Sequence, residues 1–134
     1  MSVPTATART AAVAAAVAVV LLGPAPPVAA TGGAEHGRLF LTVSGSQNTW
    51  IRGIQLNCPG GEGHHPHRTE ACERLADAHG ELDQVRGEER MCTREYDPVT
   101  ATAEGDWGGH HVSWRHTFPN GCALVAAMGP VFLF

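Results

Sequence analysis

The chain has 134 residues with nine arginines, no lysine, thirteen acids and a formal charge of −4. That length suits one small domain with a single core. The acidic balance argues against a nucleic-acid binder, which needs a basic footprint.

The first thirty residues read as a leader rather than as part of the fold. One positive charge, Arg9, precedes the apolar run "AAVAAAVAVVLLG". Val28 and Ala30 then stand in the small-x-small arrangement of signal peptidase sites. The run is too short for a typical transmembrane helix. The expectation is a signal peptide over residues 1–30, cut after Ala30, and a secreted domain over residues 31–134 with no membrane association after cleavage. With Arg9 in the leader, eight arginines face thirteen acids in the remainder, a charge of −5.

Cys58, Cys72, Cys92 and Cys122 all fall in that remainder, and an even count in a small exported chain implies two disulfides. Three connectivities are open. Pairing of neighbours is preferred, and its loops of about 15 and about 31 residues would contribute roughly 3 to 4 kcal/mol each. No Cys-x-x-Cys pair is present, which argues against a zinc site.

Along the domain, "RLFLTVSG" alternates, with Leu39, Leu41 and Val43 on one face and Phe40 and Thr42 on the other. A turn at Gly45 to Asn48 leads to a second strand, "TWIRGIQLNC", with Trp50, Ile54 and Leu56 on one side. "PGGEGHHPH" is a loop. "HRTEACERLADAHG" is the main helix, with Pro66 near its first turn and Gly80 past its end. Its stripe is Ala71, Cys72, Leu75, Ala76 and His79, and Glu70 can pair with Arg74 on the wet side. "ELDQVR" is at most a short second helix. "VTATA" is a strand, "EGDWGG" a turn, "HHVSWRHTF" an alternating strand and "PNGC" a further turn. "VFLF" is predicted as a last strand. The pattern is α+β, antiparallel strands with a helix on one sheet face.

The stretch "ERMCTREYDPV" holds an arginine between a half-cystine and a proline. Proteases bind their substrates' backbone as an added strand. A loop that binds tightly must be stiff, so that little entropy is lost on association. Cys92 can tie one flank, while Pro98 fixes the other and biases Asp97 toward extended geometry. Arg94 between them suits a trypsin-like pocket with a buried acid. The bland alternative is a solvated surface arginine.

"MCTREYDPV" resembles the reactive-site segment of the Streptomyces subtilisin inhibitor family. The likeness extends to "LTVSG", to Cys58, His65-Pro66 and Cys72, to "TATAEGDWGGHHVSWRHTFPNGC" and to the terminal "VFLF". The resemblance implies a five-stranded antiparallel sheet with two helices packed on it, and disulfides Cys58–Cys72 and Cys92–Cys122. It implies a reactive bond Arg94–Glu95, flanked in the target's subsites by Met91, Thr93 and Tyr96, with Cys92, Asp97 and Pro98 as further contacts of the reactive loop. It also implies a secreted homodimer that blocks serine endopeptidases in a substrate-like way, with Phe40 on the first strand a candidate contact between copies. The founding pattern has Met at the Arg94 position and targets subtilisin. Arg94 therefore shifts preference toward trypsin-like targets while subtilisin-like ones remain open. Thr93 replaces a proline of that pattern, and Glu95 has Arg90 or Arg115 as possible partners.

Other constellations carry less. His64, His65 and His67 read as solvated loop histidines, because ordered metal ligation demands outer-shell support. His110 and His111 fall on opposite faces of a strand. Ser44, Ser46 and Ser113 lie outside any Gly-x-Ser-x-Gly elbow, so no hydrolase is expected. Trp50, Trp107 and Trp114 read as core and interface. No cofactor or metal is expected. The rival to an inhibitor is a secreted, disulfide-stapled binding module without a protease target.

Overall fold

The structure, a computed structural model, describes residues 23–24 and 35–134. The expected signal peptide, apart from Gly23 and Pro24, lies outside the described residues, as does its cleavage point. Among those described, no helix is long and apolar enough to cross a membrane.

Four antiparallel strands build one sheet: β1 (Gly37–Gly45), β2 (Ile51–Cys58), β3 (Val99–Trp107) and β4 (His110–Phe118), in the order β2-β1-β3-β4. Two helices, α1 (Arg68–Asp77) and α2 (Gly121–Met128), complete the α+β fold. Alternation sets the sheet's two faces. Leu39, Leu41 and Val43 of β1 face inward with Leu56 of β2 and Val99, Ala101 and Ala103 of β3. Against them pack Ala71 and Leu75 of α1 and Leu124 and Met128 of α2. The outer face carries Phe40, Thr42, Thr102 and Arg115, with the Thr42 and Thr102 hydroxyls hydrogen-bonded at 2.5 Å.

Among the described residues the sheet has four strands, not the five expected, because "VFLF" is not a strand. Residues Gly129–Phe132 form a buried 3-10 turn. Pro130 has no N–H to give to a ladder and suits a helical first turn. Val131 and Phe132 are apolar in succession and buried together, where an edge strand would alternate. The turn expected over "EGDWGG" also shrinks. β3 continues to Trp107, and only Gly108 and Gly109 turn, both at positive φ (55° and 82°) as a tight two-residue hairpin requires. "ELDQVR" keeps a single 3-10 turn, Leu82–Gln84, anchored by buried Leu82. Trp114 of β4 donates its Nε1–H to Asp83 at 2.8 Å.

Helix α1 buries Ala71, Cys72 and Leu75 as its stripe requires, and Gly80 follows at φ 76°. His79 leaves the stripe. It is exposed and lies 3.0 Å from Glu35, whose other carboxylate oxygen accepts from Trp107 Nε1 at 2.6 Å. The Glu70–Arg74 pair does not form, and Arg74 donates to the Arg86 carbonyl at 3.3 Å instead.

His65 corrects the reading of the histidine loop as solvated. It is buried, donates Nε2–H to the Val131 carbonyl at 2.9 Å, and accepts from the His67 N–H through Nδ1 at 3.1 Å. Those bonds demand the neutral ring. Burial is the main force lowering its pKa from the ordinary 6.5, opposed by the Val131 carbonyl, with His67 adding to the lowering and Glu70 opposing it. Stability from this histidine is therefore fully present above its unfolded pKa and is lost as pH falls through the lower folded value. Exposed His79 runs the opposite way. The hydrogen bond to Glu35 raises its pKa, so its contribution is present at acid pH and fades as pH rises. Thermal melts across this range should show His65→Gln, which retains a donor for Val131, losing part of the acid-side fall in Tm. An unchanged slope would count against the buried ring as its source.

Candidate functional site

Between Val85 and Pro98 the chain carries neither helix nor strand. Such a segment has no ladder to satisfy its backbone, so its shape depends on what ties it down. Met91 is 100% exposed and Tyr96 79% exposed, with Thr93, Arg94 and Glu95 exposed between them. Among the described residues no carboxylate pairs with Arg94, which leaves its guanidinium available to a partner.

The ties around Arg94 come from the first turn of α2 and the two residues before it. Cys92 is bonded to Cys122 in that helix's first turn, with Cα atoms 5.7 Å apart. The Asp97 N–H donates to the Pro119 carbonyl at 2.9 Å. Asn120 links the two. Its side-chain amide nitrogen donates to the Thr93 carbonyl at 3.3 Å and the Glu95 carbonyl at 2.8 Å. Its Oδ1 accepts the Ala123 N–H at 2.8 Å, capping α2. That cap bond fixes which end of the amide faces the loop, since only the nitrogen can donate to two carbonyls. Both residues flanking Arg94 are thus held by one side chain while Arg94 is left clear. Further back, Glu88 N–H donates to the Ala126 carbonyl at 3.0 Å, and Gly87 lies against Ala126 so closely that a Cβ would collide with it.

The sequence reading took Met91 to Pro98 as one reactive stretch and expected two helices, but it read the chain after Phe118 as a turn and so placed no helix at Gly121–Met128 and gave Asn120 no role. A usable signal was present. Asn120 precedes "CALVAAM", and an Asn before an apolar, helix-favouring run is a helix-start signal. Glu95 pairs with neither Arg90 nor Arg115; the Arg90 guanidinium lies 3.7 Å from Glu88 instead, a rim contact of little energy. The second disulfide joins Cys58 and Cys72 at the other end of the sheet and touches none of this. Among the described residues no group of three or more His, Cys, Asp or Glu could hold a metal ion.

An exposed arginine on a loop tied on both sides is the form of a peptide presented to a protease cleft. A family model described as subtilisin inhibitor-like matches residues 35–120. Protease inhibitor SIL-V5 of Streptomyces luteoverticillatus is 40% identical over 103 residues, covering 72% of this chain and 95% of that one. Subtilisin inhibitor-like protein 5 of Streptomyces fradiae is 39% identical over 104 residues, again covering 72% and 95%. Among solved structures, Streptomyces caespitosus sermetstatin, crystallised with Bacillus licheniformis subtilisin, superposes with a TM-score of 0.57 at 33% identity. That match covers 75% of this chain and 99% of sermetstatin.

Proposed function

The chain belongs to the subtilisin inhibitor-like family, and on that premise we propose that it holds serine endopeptidases at the bond Arg94–Glu95. It is a protease inhibitor of the subtilisin-inhibitor type and not an enzyme. The observation that carries the reactive-bond reading is Asn120, whose one amide holds the carbonyls on both sides of Arg94. A protease docks this stretch as an added strand, with Arg94 in its primary pocket. Attack on the Arg94 carbonyl leaves two ends that Cys92–Cys122 and Asn120 keep in place. Religation then competes with release, and the complex persists.

Arg94 matches a primary pocket with a buried acid, so trypsin-like enzymes are the preferred targets, with subtilisin-like enzymes also held. Met91, Thr93 and Tyr96 occupy the flanking subsites, and Cys92, Asp97 and Pro98 complete the contact of the loop with the enzyme. The leader over residues 1–30 directs export, so the working protein is the secreted domain over residues 31–134. Two copies join through the outer sheet faces, where Phe40 is 48% exposed. Titrating trypsin, and separately subtilisin, with the purified protein tests this. Activity should fall linearly to near zero at a fixed molar ratio for trypsin. A trypsin that keeps full activity while cutting after Arg94 would make the loop a substrate and favour a plain binding module.

A further inference from the structure

Helix α2 holds the reactive stretch at a second place, upstream of Arg94. Arg86, Gly87 and Glu88 cross its last turn. The Glu88 N–H donates to the Ala126 carbonyl at 3.0 Å. The Arg86 carbonyl accepts from the Arg74 guanidinium of α1 at 3.3 Å. Gly87 lies between these two bonds. A Cβ built on it would meet the main chain of Ala126 and Ala127, not a side chain that could swing away. Gly129, which ends α2 at φ 54°, stands at the same crossing, and a Cβ there would sit 3.5 Å from the Gly87 Cα. Main chain therefore meets main chain, an approach that glycine permits.

Four residues on, Cys92 is bonded to Cys122 in the first turn of the same helix. The two anchorages differ in length. Ala126 and Cys122 are four residues apart on a helix, about 6 Å along its axis. Glu88 to Cys92 is four steps of open chain, enough to span about 13 Å when extended. The surplus has to bow away from the helix. Glu89, Arg90 and Met91 fill the bow and are all exposed, Met91 completely so. Among the described residues the main chain of Glu89 and Arg90 has no main-chain hydrogen-bond partner. The place of Met91 is thus set by the two roots of the bow, Cys92 on one side and the Gly87 crossing on the other.

We propose that Gly87 is a positioning residue of the inhibitor: by seating the chain on the last turn of α2, it fixes where Met91 enters the enzyme's flanking subsite. The role rests on the reactive-bond reading given above. Any side chain at 87 lifts the upstream root from Ala126 and moves the bow. Arg94 stays in place, because Cys92 and Asn120 hold its neighbours independently. An enzyme that depends on flanking contacts therefore senses Gly87 more than one anchored through its primary pocket. Subtilisin, with a broad primary pocket, is the first kind and trypsin the second.

Inhibition constants for both enzymes with the wild type, Gly87→Ala, Met91→Ala, the Gly87→Ala/Met91→Ala double variant and Arg94→Ala test this. Gly87→Ala should weaken the subtilisin complex about tenfold and the trypsin complex no more than about threefold. With Met91→Ala already present, the further loss from Gly87→Ala should shrink below about twofold, since the side chain it positions is gone. A purely structural glycine would lower Tm, weaken both complexes alike and keep its effect without the Met91 side chain, and that result overturns the proposal. Wild-type constants for Gly87→Ala overturn it too, and Arg94→Ala still weakening the trypsin complex would then leave the reactive bond standing. If Arg94→Ala leaves both complexes intact, the reactive-bond reading fails and the role of Gly87 falls with it. Should Gly87→Ala not fold, Arg74→Met replaces it, removing the donor to the Arg86 carbonyl while keeping an apolar stem. It should show the same split at about threefold on subtilisin, again lost with Met91→Ala. Absence of that split overturns the proposal.

Discussion

Arg94→Ala is expected to weaken the trypsin complex by about 4 kcal/mol, a loss on the order of a thousandfold. Interface energy concentrates in a few residues seated in desolvated pockets, and arginine is enriched among them. Arg94 is the proposed residue of that kind here. Arg94 pairs with no carboxylate among the described residues, while its neighbours on both sides are fixed through Asn120. Truncation leaves the loop's own bonds intact, because Asn120 and Asp97 use main-chain partners. A trypsin-like pocket then meets no charge for its buried acid, and an unpaired buried charge is costly. A broad apolar pocket loses only the contact of the arginine stem, so subtilisin should weaken by about 1 to 2 kcal/mol. Inhibition constants against both enzymes settle the matter. A trypsin constant raised less than about tenfold would mean that Arg94 is not the anchor.

The parts of the fold legible in the sequence were those with a strong period. The strands at Leu39–Val43 and Val112–Phe118 alternate, and α1 carries its stripe between Pro66 and Gly80, so pattern alone located them. The C-terminal region defeated pattern. "CALVAAM" and "VFLF" are apolar almost throughout, and a short apolar run reads as buried strand or buried helix with equal ease. Asn120 decides for helix in the first and Pro130 for a 3-10 turn in the second. Neither residue carries weight until the run after it is taken as helical. Missing α2 hid the brace on the reactive loop, since its ties converge on that helix's first turn and the Pro119–Asn120 step before it. His65 was hidden for a different reason. Its loop is polar and Gly-rich, and the burial comes from Val131, 66 residues away, a contact no local signal announces. The neighbour pairing of cysteines, by contrast, was the preferred one of three open connectivities and the one the likeness implied, and both bridges form.

Loosening the brace should turn the trap into a substrate without unfolding the domain, and the two disulfides allow that effect to be separated from stability. Cys92–Cys122 closes a sequence separation of 30 and Cys58–Cys72 one of 14, so in the chain-entropy model each removal costs roughly 3 to 4 kcal/mol. A domain of this size has about 5 to 15 kcal/mol in hand. Both double Cys→Ser variants should therefore fold at room temperature with similarly lowered Tm. Only the Cys92→Ser/Cys122→Ser variant frees the flank two residues before Arg94. Trypsin mixed with it should first lose activity and then recover within the assay as Arg94–Glu95 is cut and the ends separate. The Cys58→Ser/Cys72→Ser variant should stay a lasting inhibitor at the same temperature. Asn120→Ala tests the other half of the brace. It removes the α2 cap, about 1 kcal/mol, and two bonds to the loop of roughly 0.5 to 1.5 kcal/mol each, while the disulfide stays closed. Its complex should leak cleaved product faster than the wild type and slower than the Cys92→Ser/Cys122→Ser variant. If both cysteine variants lose inhibition together, global stability rather than local bracing governs the trap. If neither does, the loop holds its shape without these ties, and rigidity at the flanks is not what keeps the cut bond together.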